Sequence, residues 1–306
     1  MQTIIKYGLY PTVLAVTIGF IGYTIHFDWD LKVAFTVMIA IRFVLFLGLE
    51  FAMPMKKKWK MTRASFWRDV KYLATGAMVG RGLRYIIILA AIDLSANNSG
   101  PLAGSSLLVG FVLTALTAEF MQYWFHRACH EGKGVIGQWL WRVHVAHHLP
   151  DGVYLLMHGV VHPINLIASF VIIQGTLVLL GASPESIFML SALMGLHGLI
   201  SHFNVEIRAG WLNYIFVGTE LHRFHHSADP AESKNYGVFL TIWDILFGTF
   251  YYKPDRVPER LGVHKPDLYP HSNSILKVFA LPFGRLLRER QNVERPVPSD
   301  RGQNLF

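Results

Sequence analysis

The stretch His126-Arg127-Ala128-Cys129-His130, followed after a glycine-bearing spacer by His144-Val145-Ala146-His147-His148, decides how this chain is read. Its second half is echoed later as His222-Arg223-Phe224-His225-His226. Residues at i, i+3 and i+4 share one face of a helix. The spacing therefore predicts that His126 and His130 stack as a pair, that His144, His147 and His148 converge as one trio, and that His222, His225 and His226 form a second. Eight imidazoles placed this way predict a polynuclear metal site.

Composition says where that site sits. Of 306 residues, 52% are hydrophobic and 16% charged, against about a quarter charged in soluble proteins, so the chain is expected to be an integral membrane protein. Its one cysteine, Cys129, excludes a disulfide framework, a Cys-rich zinc module and a cysteine-ligated iron–sulfur centre. The net charge of +8 comes from basic residues gathered beside apolar segments. That pattern points to anionic lipid headgroups and not to nucleic acid.

Outward from the histidines, residues 9–25 and 33–53 are apolar enough for two N-terminal spans, the second carrying Arg42 and Glu50. These two are expected either to pair across neighbouring helices or to lie near an interface. No small-residue cleavage site follows the first span, so it is expected to be a retained anchor and not a signal peptide. Residues 55–71 hold Lys56, Lys57, Lys58, Lys60, Arg63, Arg68 and Lys71 against Asp69 alone. The positive-inside rule places this loop in the cytoplasm. Residues 72–94 form a third, glycine-crowded span and 102–125 a fourth, which delivers His126 to the cytoplasmic face. Residues 161–180 and 184–200 form a hairpin of two full crossings or two re-entrant helices. The expected architecture is an all-α membrane protein of four to six spans beneath a cytoplasmic histidine-rich cap. Residues 1–100 anchor it, 101–255 form the catalytic domain, and 256–306 make a basic interfacial segment ending in a disordered tail from 292.

Neutral imidazole suits Zn, Cu, Fe and Ni, and not Mg or Ca. Zinc or iron are the main contenders, and a hydrolytic zinc site typically brings a glutamate in HExxH, which neither trio has. Two redox-active irons activating dioxygen beside a lipid cavity would use so large a ligand set. A divalent-metal transporter and a zinc-dependent membrane hydrolase are the rival readings. The transporter is disfavoured because residues 107–116 and 169–180 lack the mid-membrane polar groups an ion path needs.

The order HxxxH, HxxHH, His162-Pro163, His202-Phe203-Asn204, HRFHHS, Asn235-Tyr236-Gly237 and residues 243–250 (WDILFGTF) resembles the fatty acid hydroxylase and sterol desaturase superfamily of integral-membrane non-haem di-iron oxygenases. The resemblance covers residues 119–252. It implies an oxidoreductase that uses O2 and two reducing equivalents to hydroxylate, or desaturate, a C–H bond of a membrane lipid such as a fatty acyl lipid or sterol. It implies two iron ions held by His126, His130, His144, His147, His148, His162, His202, His222, His225 and His226, and a separate electron donor such as a cytochrome b5, a ferredoxin or a similar reductase system. His158, His197, Glu119 and Asn235 are expected in supporting positions around the ligands. The chain departs from common relatives at Leu149-Pro150-Asp151-Gly152, a segment expected to shape the substrate cavity.

Overall fold

The computed structural model describes residues 2–95 and 100–284, with backbone alone over 84–95. Two N-terminal helices, α1 (Gln2–His26) and α2 (Leu31–Ala52), are followed by α3 (Arg63–Ser95), α4 (Leu107–Glu131) and α5 (Gly134–His148). A hairpin of α6 (Pro163–Leu180) and α7 (Pro184–Ser201) precedes the short α8 (Thr219–His225), α9 (Ile242–Leu246) and α10 (Ile275–Ala280). Among the described residues there is no β-strand, only three isolated bridges. The protein is all-α, as its sequence predicts.

Local chemistry sets the boundaries. The Asp30 carboxylate accepts the N–H groups of Lys32 and Val33 at 2.9 and 2.8 Å, satisfying donors that the first turn of α2 leaves open. The α6–α7 turn is written in Gly181-Ala182-Ser183-Pro184: Gly181 takes a left-handed φ of 65° at the end of α6, and Ser183 caps α7 ahead of a proline in its first turn.

Among the described residues, α1, α2, α4 and α6 are long and apolar enough to cross a bilayer. The chain is an integral membrane protein, and these four candidate spans among the described residues stand at the lower end of the four to six expected. The helices at the other two expected positions, α3 and α7, fall outside that set. Gly76, Gly80, Arg81 and Gly82 dilute the middle of α3, and α7 carries Glu185 and His197.

Helix α2 packs on α7, α3 on α6, and α4 against α5, α6 and α7. The main core joins α1, α2, α4 and α7 through Tyr10, Phe46, Ala118 and Leu196. A smaller cluster around Trp59, Tyr72, Tyr154 and Met157 lies under the cap.

Arg42 and Glu50 do not pair. Arg42 donates to the carbonyl of Ala192 at 2.9 Å and to the Thr17 hydroxyl at 2.6 Å, joining α2 to α7 and α1. Glu50 instead accepts the backbone N–H of Leu155 and of Asn204, both at 2.9 Å. Each buried polar head finds hydrogen-bond partners on other elements of the chain, so both are fastenings. The C-terminal segment is described as far as residue 284, with Leu276 and Phe283 exposed on its surface. The basic residues beyond that point and the tail from 292 lie outside the described residues.

Candidate metal centre

Nine of the ten histidines expected as ligands converge on one place and divide into two groups. His126, His130, His144, His148 and His225 form one, and His147, His202, His222 and His226 the other; within each, one nitrogen per ring lies within 4.8 Å of all the rest. The expected trios therefore do not stay together. In each HxxHH the i and i+4 residues share a group while the i+3 residue crosses to the other. At about 100° per residue, i and i+4 lie about 40° apart around the helix and i+3 falls about 60° to the opposite side. The His147 and His148 rings thus splay towards different centres, as do those of His225 and His226.

The nitrogens meet lone pair to lone pair. His147 donates from Nδ1 to the carbonyl of Val160 at 3.1 Å. Ser201 spends its hydroxyl hydrogen on the Gly198 carbonyl, so His202 donates from Nδ1 to Ser201 Oγ at 3.0 Å. With both protons on Nδ1, the two Nε2 atoms face each other at 3.0 Å as acceptors. Nε2 of His222 stands equally close to its neighbours, 3.0 Å from that of His202 and 3.1 Å from that of His226. In the five-membered group, His126–His144 and His144–His148 repeat it at 3.1 Å, while Nε2 of both His130 and His225 is buried without a partner. Opposed lone pairs repel unless a cation lies between them. Two imidazoles bound at right angles to one ion, with metal–nitrogen bonds of about 2.1 Å, would stand about 3.0 Å apart. The donor set therefore fits two metal ions.

Burial holds His144, His222 and His226 well below the ordinary imidazole value, and neighbouring histidines push them further down. These rings are neutral at physiological pH, the form that binds metal.

The orienting groups are mostly backbone. His126 Nδ1 donates to the Tyr236 carbonyl at 2.8 Å and His225 Nδ1 to that of Lys234 at 3.0 Å. Between these carbonyls sits Asn235 at φ 61°, a left-handed conformation that Asn tolerates better than most residues. Its amide bridges the Leu221 and Tyr251 carbonyls at 3.1 and 2.8 Å, and its oxygen accepts the N–H of Tyr251. Asp244 takes the N–H groups of Tyr236 and Gly237 at 2.7 and 2.8 Å. One cap tripeptide thus orients a ligand from α4 and another from α8. Asn165, whose Oδ1 lies 3.1 Å from His144 Nδ1, is an orienting residue that sequence reasoning missed; no local pattern marks it.

The remaining expected site residues fall outside both groups. His162 caps α6, accepting the N–H of Ile164 on Nδ1 at 3.1 Å, and donates from Nε2 to the Phe279 carbonyl at 3.2 Å. Both its nitrogens are thereby engaged. The His158 ring lies 5.2 Å from that of His202. His197 bonds Tyr10 at 2.9 Å and the Leu193 carbonyl at 2.8 Å, joining α7 to α1. Glu119 accepts the N–H groups of Val238, Phe239 and Leu240.

A helical membrane protein with a nine-histidine centre that fits two metals is the class that fold and site define. Residues 111–249 match the fatty acid hydroxylase family. The chain is 29% identical over 270 residues to ornithine lipid hydroxylase OlsE from Rhizobium tropici, covering 83% of this chain and 78% of that protein. It is 32% identical over 147 residues to alkylglycerol monooxygenase from Danio rerio, 47% of this chain and 31% of that protein. It is 26% identical over 166 residues to very-long-chain aldehyde decarbonylase GL1-4 from Oryza sativa subsp. japonica, 49% of this chain and 25% of that protein. No solved structure gives a significant match. The stretch that matches the fatty acid hydroxylase family, residues 111–249, contains all nine converging histidines.

Proposed function

We propose that this protein is an O2-dependent di-iron oxidoreductase that hydroxylates a C–H bond of a membrane lipid. The balance is R–H + O2 + 2 H⁺ + 2 e⁻ giving R–OH + H2O, with the electrons supplied by a separate protein donor. The observation that carries this reading is the division of nine largely buried, neutral histidines into two adjoining all-imidazole groups. No carboxylate lies in either group to serve as the base of a zinc hydrolase, and the relatives named above are hydroxylating or otherwise lipid-modifying enzymes by name.

Two irons, when bound, would supply the activation of dioxygen. The protein's own part is to hold protons on Nδ1 of His126, His147, His202 and His225, so that each Nε2 lone pair points inward. It also buries the four-histidine group. The basic run at Lys56, Lys57, Lys58 and Lys60 supports a cytoplasmic position for the cap, within reach of cellular reductants.

The test is metal analysis of the purified chain together with lipid mass spectrometry of host cells with and without the gene. Two irons per chain and a lipid that gains one oxygen atom under aerobic growth are expected. Loss of two hydrogens instead would indicate desaturation, and no O2-dependent change in any lipid would overturn the oxygenase reading. A reporter fused after Lys60 should read cytoplasmic and one inserted near residue 97 external.

A further inference from the structure

A cavity of about 800 Å³ opens beside the centre, with His130 and His148 in its wall. Both belong to the five-histidine group, and no member of the four-histidine group lines it. Access to the two centres is therefore unequal.

The depth of the cavity follows from α4. That helix presents exposed Leu108, Val112, Met121 and Trp124 along its length. The Arg127 guanidinium lies 5.4 Å above the Trp124 ring and donates to the Phe247 carbonyl. An exposed tryptophan beneath an arginine marks the boundary between hydrocarbon and headgroups. His130 lies three residues further along, about 4.5 Å by helix rise, so the cavity begins at headgroup depth.

Its rim is the turn from α4 into α5. There Val135 and Ile136 are 77% and 75% exposed beside exposed Lys133, as expected of a helix start dipping into an interface. Gly132, Gly134 and Gly137 place no side chain across the opening. Lys234, also at the rim, is neutralised by Glu131 at 2.6 Å, whereas Lys133 has no ion-pair partner among the described residues. Gln138, Ser227, Ser233 and Tyr236 add polar groups to walls that also hold Trp141 and Val263.

We propose that the cavity receives a membrane lipid by its polar end, with a phosphate or carboxylate of the headgroup held at Lys133 and the oxidised carbon close to that headgroup. The inference deepens the hydroxylase reading and rests on it. An acyl chain entering tail first would have to drive its terminal methyl past the headgroup layer and a cation. A lipid entering head first leaves its tails in the bilayer and offers its first carbons to the His130–His148 side of the centre.

The test uses the full chain in phosphatidylcholine nanodiscs doped with either of two photoactivatable phosphatidylglycerols, one carrying a diazirine on the headgroup and one at the acyl terminus. The headgroup probe should label residues 132–141, and Lys133→Glu should cut that labelling severalfold, with Lys133→Gln intermediate. The terminal probe should label the exposed face of α4. Labelling of 132–141 by the terminal probe, or indifference to both Lys133 variants, would overturn the inference whether or not metal is bound. With iron-loaded protein, an electron source and isotopically labelled dioxygen, the label should appear in the lipid fragment holding the headgroup and its first carbons. Label on a distal methylene would overturn this inference and leave the hydroxylase reading standing; no label in any lipid would overturn both.

Discussion

Glu119 accepts the backbone N–H of Phe239 at 3.0 Å across 120 residues of chain, and the same oxygen also takes those of Val238 and Leu240. One carboxylate on a membrane helix thus fastens the cap segment that follows Tyr236, whose carbonyl orients His126. Glu119→Ala leaves three N–H groups without this acceptor, at about 1–3 kcal/mol for each one that stays unsatisfied. We expect a lower thermal midpoint and loss of metal from the five-histidine group. Glu119→Gln keeps a neutral acceptor and should fall between the two. Wild-type metal content in Glu119→Ala would show that the cap holds without this fastening.

Asn235→Ala tests the tripeptide that orients two ligands at once. Alanine is less tolerant of φ 61° and gives up the bonds to Leu221 and Tyr251. Metal affinity should fall by roughly ten- to a hundredfold, the usual cost of losing an outer orienting partner, measured by competition with a chelator. An unchanged affinity would mean that the Lys234 and Tyr236 carbonyls keep their places unaided.

His147 and His162 separate ligation from capping. His147→Ala should lose one metal per chain and activity, with the protein still inserted in the membrane, since the spans and not the metal drive insertion. His162→Ala should keep both metals and lose about 1 kcal/mol of stability with its cap on α6. Metal loss in the His162 variant would show that its ring turns inward on loading.

Gly137→Ala probes how closely α5 folds back on α4. A Cβ there would stand 2.1 Å from the Gly132 carbonyl carbon, which is backbone and does not yield. Overpacking of this kind typically costs about 1–3 kcal/mol, and the shift would part His130 from His148. A thermal midpoint equal to that of the wild type would show that the turn relaxes freely.

The all-α membrane class was legible because apolar length is written directly in the residues, and the histidines were legible because helical spacing gathers them. What spacing hid was their division. A helical wheel places i, i+3 and i+4 on one face, yet the rings of His147 and His148 diverge enough to serve different centres. Sequence also did not reveal that Glu50 and Arg42 fasten backbone, because their partners at Leu155, Asn204 and Ala192 are peptide groups brought near by tertiary packing. His162 drew attention through its His-Pro pair, which is also the signature of a helix start. Asn165 gave no signal, since a lone Asn on an apolar helix carries no periodicity.

The crossing of His147 and His225 to the opposite groups limits which length changes the gene can accept. Inserting or deleting one residue between His144 and His147 would turn every later ring by about 100°, handing each centre the other's ligand or none at all. The five-residue boxes should therefore tolerate no indels, while the exposed residues 229–231 between box and cap tripeptide can vary in length, as loops generally do. Spacing between the centres is set by the pitch of α5 and α8, so it is inherited with the helix and survives loss of either ion.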